Sequence, residues 1–297
     1  MFARILVILG LLSRTRSAIP YIRLLAKNFG SDIHLLGLST ESRQVWDQSL
    51  ISYSEGISRS LHQDGIVVKT DFIRGNPAVE VVRYSETNGI NLIVTTTGET
   101  NEITGSILNN VSRRMGRSFS SPILSIPPQA ARDFDVQGKP EFIKILVPLD
   151  RTPFSEIALP YAEELAHKLN CSVTLLNVNT PPVRGVPVLN NEIVKMTRTI
   201  AVNYLKKICS RLDKKNIRAD FLVAEGNAAK AILKSAKTSK FSLIVMATRG
   251  ASGMERWFQG RTAEKVSMKS EIPVMSVCSP GPDIRRGKEH LIYGAIN

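Results

Sequence analysis

Apolar and polar positions in this chain follow two rhythms that take turns. In the second half, near-continuous apolar runs stand at 142–149, 172–178, 217–223, 241–247 and 272–278. Such runs are how strands buried on both faces of a parallel sheet read. Stretches of helical period separate them, at about 154–169, 191–215, 227–238 and 261–270. In the first of these, Ile157, Tyr161, Leu165 and Leu169 recur at four-residue steps and build one apolar face, and Pro153 sits near the start, where a missing N–H costs little. Five strands alternating with four helices through right-handed crossovers predict an open parallel sheet with helices on both faces. The first half repeats the plan, with strands near 3–9, 31–37, 66–73, 91–96 and 122–126.

The repetition extends from rhythm to residues. FARILVILG, from Phe2, reads against FIKILVPLD, from Phe142. RGNPAVEVV (from Arg74) reads against EGNAAKAIL (from Glu225), NLIVTTT (from Asn91) against SLIVMAT (from Ser242), and SPILSI (from Ser121) against IPVMSV (from Ile272), each at a spacing of 151 residues. Four blocks in one order identify a tandem duplication. The expected fold class is α/β, with two tandem doubly wound domains, each an open five-stranded parallel sheet with helices on both faces. Between the halves, PPQAARDFDVQGKPE is rich in Pro, Gly and polar residues and reads as a linker. The expected boundaries are a first domain at 1–127, a linker at 128–141, a second domain at 142–279 and an irregular tail at 280–297.

At 297 residues, 43% hydrophobic and 22% charged, the chain has enough apolar side chains for two cores, which excludes a disordered or collagen-like class. Cys171, Cys209 and Cys278 lie far apart with no CxxC pair, so neither a disulfide framework nor a zinc knuckle is suggested, and a reducing cytoplasm is the expected location. The opening MFARILVILGLL has the apolar run of a signal peptide but no small-x-small cleavage site before SRTR, and it reads as a buried strand. No other run approaches the ~18 apolar residues of a membrane span. The net charge of +13 is uneven: residues 1–140 carry 15 Lys/Arg against 12 Asp/Glu, and residues 141–297 carry 24 against 14. A basic second half suits an anionic ligand or partner, or a solvated basic surface.

In doubly wound sheets ligands sit at the carboxyl ends of the strands, where the strand order switches. In the second half these ends are Pro148-Leu149-Asp150, Val178-Asn179 and the stretch from Ala247 to Thr262. Gly250, Gly253 and Gly260 permit turns closed to other residues and let peptide N–H groups approach a ligand. Gly260 opens a helix beginning Arg261-Thr262, whose free N–H groups and positive dipole end favour an anion. Strand, glycine loop and helix together resemble the ATP-binding subgroup of the universal stress protein family, whose pattern is Gly, two residues, Gly, nine residues, Gly, then Ser or Thr. Gly250 and Gly260 match the second and third glycines with the nine-residue gap intact. Ala247 stands at the first glycine, and Arg261 at the Ser/Thr position with Thr262 following. Pro148 with Asp150, Gly226-Asn227, the LIVM from Leu243 to Met246, and Ala263-Glu264-Lys265-Val266 also resemble the family. The resemblance covers almost all of 142–278 and, more weakly, 2–126.

That resemblance implies a bound adenine nucleotide, ATP, with or without Mg2+. Asp150 and the backbone beside Val178 would hold the adenine and ribose end, Pro148 would shape the strand exit, and Met246 would pack near the base. Ala247, Gly250, Gly260, Arg261 and Thr262 would offer N–H groups or side chains to the phosphates, with Arg249 and Arg256 adding charge. The residues by themselves leave other readings open. Asp150 also reads as a helix cap or surface turn, Met246 as core, Arg249 and Arg256 as solvated, and Arg261 either as a phosphate fork or as a plug in the pocket. In the first half, strand one ends Leu9-Gly10 without an Asp, and Thr96, Glu99 and Asn109 stand where Ala247, Gly250 and Gly260 do. No nucleotide is expected in 1–126.

The first half is expected to serve as a folding and dimerisation partner, because family members pair through their last strands and a tandem chain can form that pair internally; a homodimer of two chains stays open. His34, His62, His167 and His290 show no metal spacing, Ser155 lacks a Gly-x-Ser-x-Gly setting, and no Walker loop occurs, so no catalytic residue is assigned. Nucleic-acid binding ranks last, because no reading motif accompanies the charge. The expected function is a cytoplasmic stress-response protein that binds ATP in its second domain and acts as a nucleotide-dependent regulatory or interaction module, at most a weak ATPase. The alternatives are a nucleotide-free interaction module and a slow ATP hydrolase.

Overall fold

The computed structural model describes residues 1–9, 15–39, 46, 48–97, 121–131, 142–179, 191–248 and 261–278. The first half supplies β1 (Arg4–Leu9), α1 (Ile19–Phe29), β2 (Asp32–Ser39), α2 (Gln48–Gln63), β3 (Val68–Arg74), α3 (Pro77–Asn88), β4 (Leu92–Thr96) and β5 (Ile123–Ile126). A short turn of 3-10 helix at Pro128–Ala131 follows. The second half supplies β6 (Lys144–Pro148), α4 (Pro153–Glu156), α5 (Leu159–Leu169), β7 (Ser172–Asn179), α6 (Asn191–Asp213), β8 (Ala219–Glu225), α7 (Ala228–Thr238), β9 (Leu243–Ala247), α8 (Arg261–Lys269) and β10 (Val274–Val277).

The ten strands make one sheet in the order β3-β2-β1-β4-β5-β10-β9-β6-β7-β8. Within each half every pairing among the described residues is parallel, as the apolar runs require. At the junction β5 and β10 run antiparallel, with Leu124 opposite Met275 and Ser125 opposite Val274. The second half therefore mirrors the strand order of the first, and its order reverses between β6 and β9. That reversal is where a doubly wound sheet leaves a crevice at its carboxyl edge.

Alternation along the strands divides the core. Ile145, Val147 and Leu149 point to the face covered by α5 and α6, and Leu146 points to the face covered by α7 and α8. On the first face the core runs unbroken from one half into the other, with the Tyr21 and Phe142 ring centroids 5.4 Å apart and Phe2 stacked 6.2 Å from Tyr161. On the opposite face each half keeps its own cluster.

The expected helix over 154–169 is two pieces, α4 and α5. Pro160 explains the break: it has no N–H to give and its ring crowds the carbonyl four residues back, at Glu156, where α4 stops. The duplication also shows in local geometry. Gly75 and Gly226 both take positive φ, 143° and 108°, and each is followed by an asparagine, Asn76 or Asn227, that caps the next helix through its side-chain oxygen. β2 and β7 are equivalent at Asp32 and Ser172, 140 residues apart, whereas β3 and β8 are equivalent at Val68 and Ala219, 151 apart. The growth lies in the connection that carries α6.

Candidate functional site

β9, β6 and β7 are consecutive neighbours in the sheet, so their carboxyl ends fall within about 10 Å of one another at ~4.8 Å per strand. Pro148 ends β6 half-buried, Val178 lies half-buried one residue from the end of β7, and Met246 and Ala247 close β9, both buried. Val178 and Met246 join the same apolar cluster under α7 and α8, so Met246 is a core side chain in this structure. Five of the expected site residues, Pro148, Asp150, Val178, Met246 and Ala247, thus share one edge. Thr262 sits half-buried in the first turn of α8, and Arg261 is that helix's first residue. Arg249, Gly250, Arg256 and Gly260 lie outside the described residues.

Asp150 is exposed and organises the turn that leaves β6. Its Oδ1 accepts from the Thr152 backbone N–H at 3.1 Å and from the Thr152 hydroxyl at 2.5 Å, while its own N–H donates to Ser155 Oγ at 3.2 Å. Thr152 in turn caps α4, its Oγ1 accepting from the Ser155 N–H at 3.3 Å, and Arg151 between them is forced to a φ of 68°. Asp150 thus holds a surface turn, and the cap of α4 is Thr152. The same carboxylate stays at the mouth of the crevice, held by its neighbours rather than swinging free.

Three residues beyond the expected set complete this corner. Tyr204 of α6 donates its hydroxyl to Glu156 Oε1 at 2.9 Å, and burial together with that bond raises its pKa. Asn177 of β7 is 1% exposed; its Nδ2 donates to the Leu149 carbonyl at 2.7 Å, and its Oδ1 is buried without a partner among the described residues. Asn179, two residues on and so on the same face of the strand, buries both Nδ2 and Oδ1 without a partner among the described residues. The signal was present in the sequence: two asparagines at alternate positions interrupt an otherwise apolar run, Thr174 to Asn179, that is buried on both faces.

The first half fills the corresponding place with hydrocarbon. Gly37 stands on β2 where Asn177 stands on β7, and a Cβ at Gly37 would collide with the ring of Phe72 on the neighbouring strand. Trp46 packs on that ring at 5.1 Å between centroids. The first half keeps its own polar cluster nearer the opposite end of its strands. There His34 Nδ1 lies 2.8 Å from Tyr84 Oη, Tyr84 donates to Asp71 Oδ2 at 2.5 Å, and Lys69 Nζ is 3.1 Å from the same oxygen. Elsewhere burial pushes the Cys171 and Cys209 thiols up to about 11, so both stay protonated and unreactive at neutral pH.

With this geometry in view, comparison with known proteins gives a consistent result. The model of the universal stress protein family matches residues 141–277. Universal stress protein YxiE of Bacillus subtilis is 30% identical over 150 residues, covering 46% of this chain and 99% of the relative. Universal stress protein MJ0531 of Methanocaldococcus jannaschii is 31% identical over 149 residues, covering 48% of this chain and 86% of the relative. Among solved structures, a universal stress protein from Archaeoglobus fulgidus superposes with a TM-score of 0.67 at 20% identity, covering 94% of this chain and 97% of the other, so both halves share that fold. The chain belongs to the universal stress protein family. No helix among the described residues is long and apolar enough to cross a membrane.

Proposed function

We propose that the second half of this stress-response protein binds an adenine nucleotide, ATP, at the carboxyl ends of β6, β7 and β9, and that the first half is its structural partner. The observation that carries the reading is the contrast between the copies: a buried Asn177 Oδ1 and a buried Asn179 amide without partners among the described residues in one, and a Phe72 ring filling the same place in the other. A buried polar group left unpaired costs roughly 1–3 kcal/mol, a penalty that a polar ligand would relieve. Asp150 and Val178 flank these amides and would take the ribose and base. The glycine-spaced stretch around Gly250 and Gly260, leading into α8, would take the phosphates through peptide N–H groups, with Arg249, Arg261 and Thr262 beside them. In this reading 1–127 and 142–279 are two domains joined by 128–141, and the antiparallel β5–β10 contact is their internal pairing.

Calorimetric titration with ATP tests the proposal, with Gly250→Asp and Gly260→Asp as controls that put a carboxylate into the phosphate path. Binding by the natural protein and none by the variants is the expected result; no heat above the variants overturns it. A dissociation constant of ~10 µM would give roughly 2.7 kcal/mol of added stability at 1 mM ATP, readable as a rise in melting temperature. Among the described residues no general base stands beside Asp150, whose Oδ1 is already held by Thr152, so phosphate release at background rate is expected in the same samples.

A further inference from the structure

Asn177 has a polarity that its neighbour decides. The Leu149 carbonyl can only accept, so the Asn177 group facing it at 2.7 Å is the NH2, and the amide cannot be flipped. Its Oδ1 is then an acceptor of fixed position, buried and without a donor among the described residues. Asn179, one pleat further toward the strand end on the same face, offers both a donor and an acceptor that are likewise unused. A ligand that satisfies these two side chains must bring an amino donor to the fixed oxygen and an adjacent ring nitrogen or amino hydrogen to the second amide. That is the edge of a 6-aminopurine. A 6-oxopurine would set its carbonyl oxygen against Asn177 Oδ1, two acceptors with no proton between them.

Resting on the nucleotide reading above, we infer that Asn177 is the specificity-determining residue of this site, with Asn179 completing the base contact, and that it selects a 6-aminopurine over a 6-oxopurine. The two residues have different parts. Asn177 is held by β6 and supplies the discriminating acceptor; Asn179 is free to present whichever amide atom the base requires. The first half has Gly37 and Ser39 at the same places and lacks the pair. An amide such as Asn179, satisfied only when a base is present, also implies a trade between stability and binding, since replacing an unpaired buried amide with a hydrocarbon of similar size removes its desolvation cost.

The test compares ATP with inosine triphosphate, which differs at the purine 6-position, in the natural protein, in Asn177→Leu and in Asn179→Leu. The natural protein is expected to bind ATP roughly ten- to a hundredfold more tightly than inosine triphosphate, the discrimination a well-placed asparagine gives an adenine edge. In Asn177→Leu the ratio is expected to fall to within about threefold, with ATP affinity lost rather than inosine triphosphate affinity gained, whereas Asn179→Leu weakens both nucleotides at an unchanged ratio and its ligand-free form melts higher than the natural protein by about 2 °C or more. The higher melting point certifies that Asn179→Leu folds and that the amide was unpaired. Equal binding of the two nucleotides by the natural protein, or an unchanged ratio in Asn177→Leu, overturns the inference and leaves the site reading intact. Failure of the natural protein to bind either nucleotide overturns both.

Discussion

A single hydroxyl proton decides the state of His34. Tyr84 gives its proton to Asp71, so toward His34 it can only accept, and the neutral imidazole must carry its hydrogen on Nδ1. Burial lowers the His34 pKa, and Lys69 and Arg4 push the same way against the opposing pull of Asp71 and Asp32. Burial works to raise the Asp71 pKa but is outweighed by the bonds from Tyr84 and Lys69, which keep it ionised; Tyr84 itself is raised, by burial first and then by Asp71. The sign follows from linkage. The unfolded chain, with an ordinary histidine near 6.5, binds a proton that the folded protein refuses, so stability holds above about pH 6.5 and declines as pH falls below it. Urea midpoints measured at pH 7 and pH 5 should drop for the natural protein, and His34→Gln, which keeps a donor toward Tyr84, should shrink that drop. An unchanged drop would assign the acid sensitivity to other groups. None of this was legible in the sequence, where His34 is one of four scattered histidines; the cluster needs β2, β3 and α3 brought together.

At the level of elements, sequence reading succeeded where the controlling residues are local. Pattern alone located each strand, because a strand buried on both faces needs a continuous apolar run. The Gly-Asn pair before α3 and again before α7 is local too: the glycine takes a backbone angle that side chains resist, and the asparagine satisfies helix N–H groups at 3.1 Å, to Ala78 in one copy and to Lys230 in the other. Asn227→Ala should therefore cost about 1 kcal/mol, read as a shift of the urea midpoint at unchanged slope. Asn227→Asp, which keeps the capping oxygen, should restore most of it. Reading failed at 154–169, where one apolar periodicity spans what are two helices, because Tyr161 and Leu165 face the core on the same side that Ile157 does. Periodicity registers which way side chains point and is blind to whether the backbone ladder beneath them is continuous.

For the molecule as a whole, the decisive contact is the antiparallel junction of β5 with β10. It turns two five-stranded sheets into one ten-stranded sheet and leaves the carboxyl edges of the two halves as separate surfaces. Leu124 and Met275 face each other there, both fully buried in the core that the two halves share. Each truncation to alanine should cost roughly 2–5 kcal/mol. The informative measurement is the double mutant: residues in contact should couple by about 0.5 kcal/mol or more, whereas purely additive losses would mean that the halves do not support each other through this pair. Calorimetric unfolding of the natural protein in a single transition would agree with the same coupling.

What the residues determined unaided was everything that depends on short stretches of chain. The strands and helices, the α/β class they add up to, and the glycine-asparagine pairs are each written in a few successive residues that local sterics and burial enforce, and the duplication shows as the recurrence of such short blocks. The tertiary structure decided which groups meet. Asn177 was one polar letter in an apolar run until the Leu149 carbonyl arrived from the next strand and fixed which end of its amide is left without a partner. Hydrogen-bond partners in a parallel sheet come from segments tens of residues apart, and no pattern along one strand records what its neighbour presents.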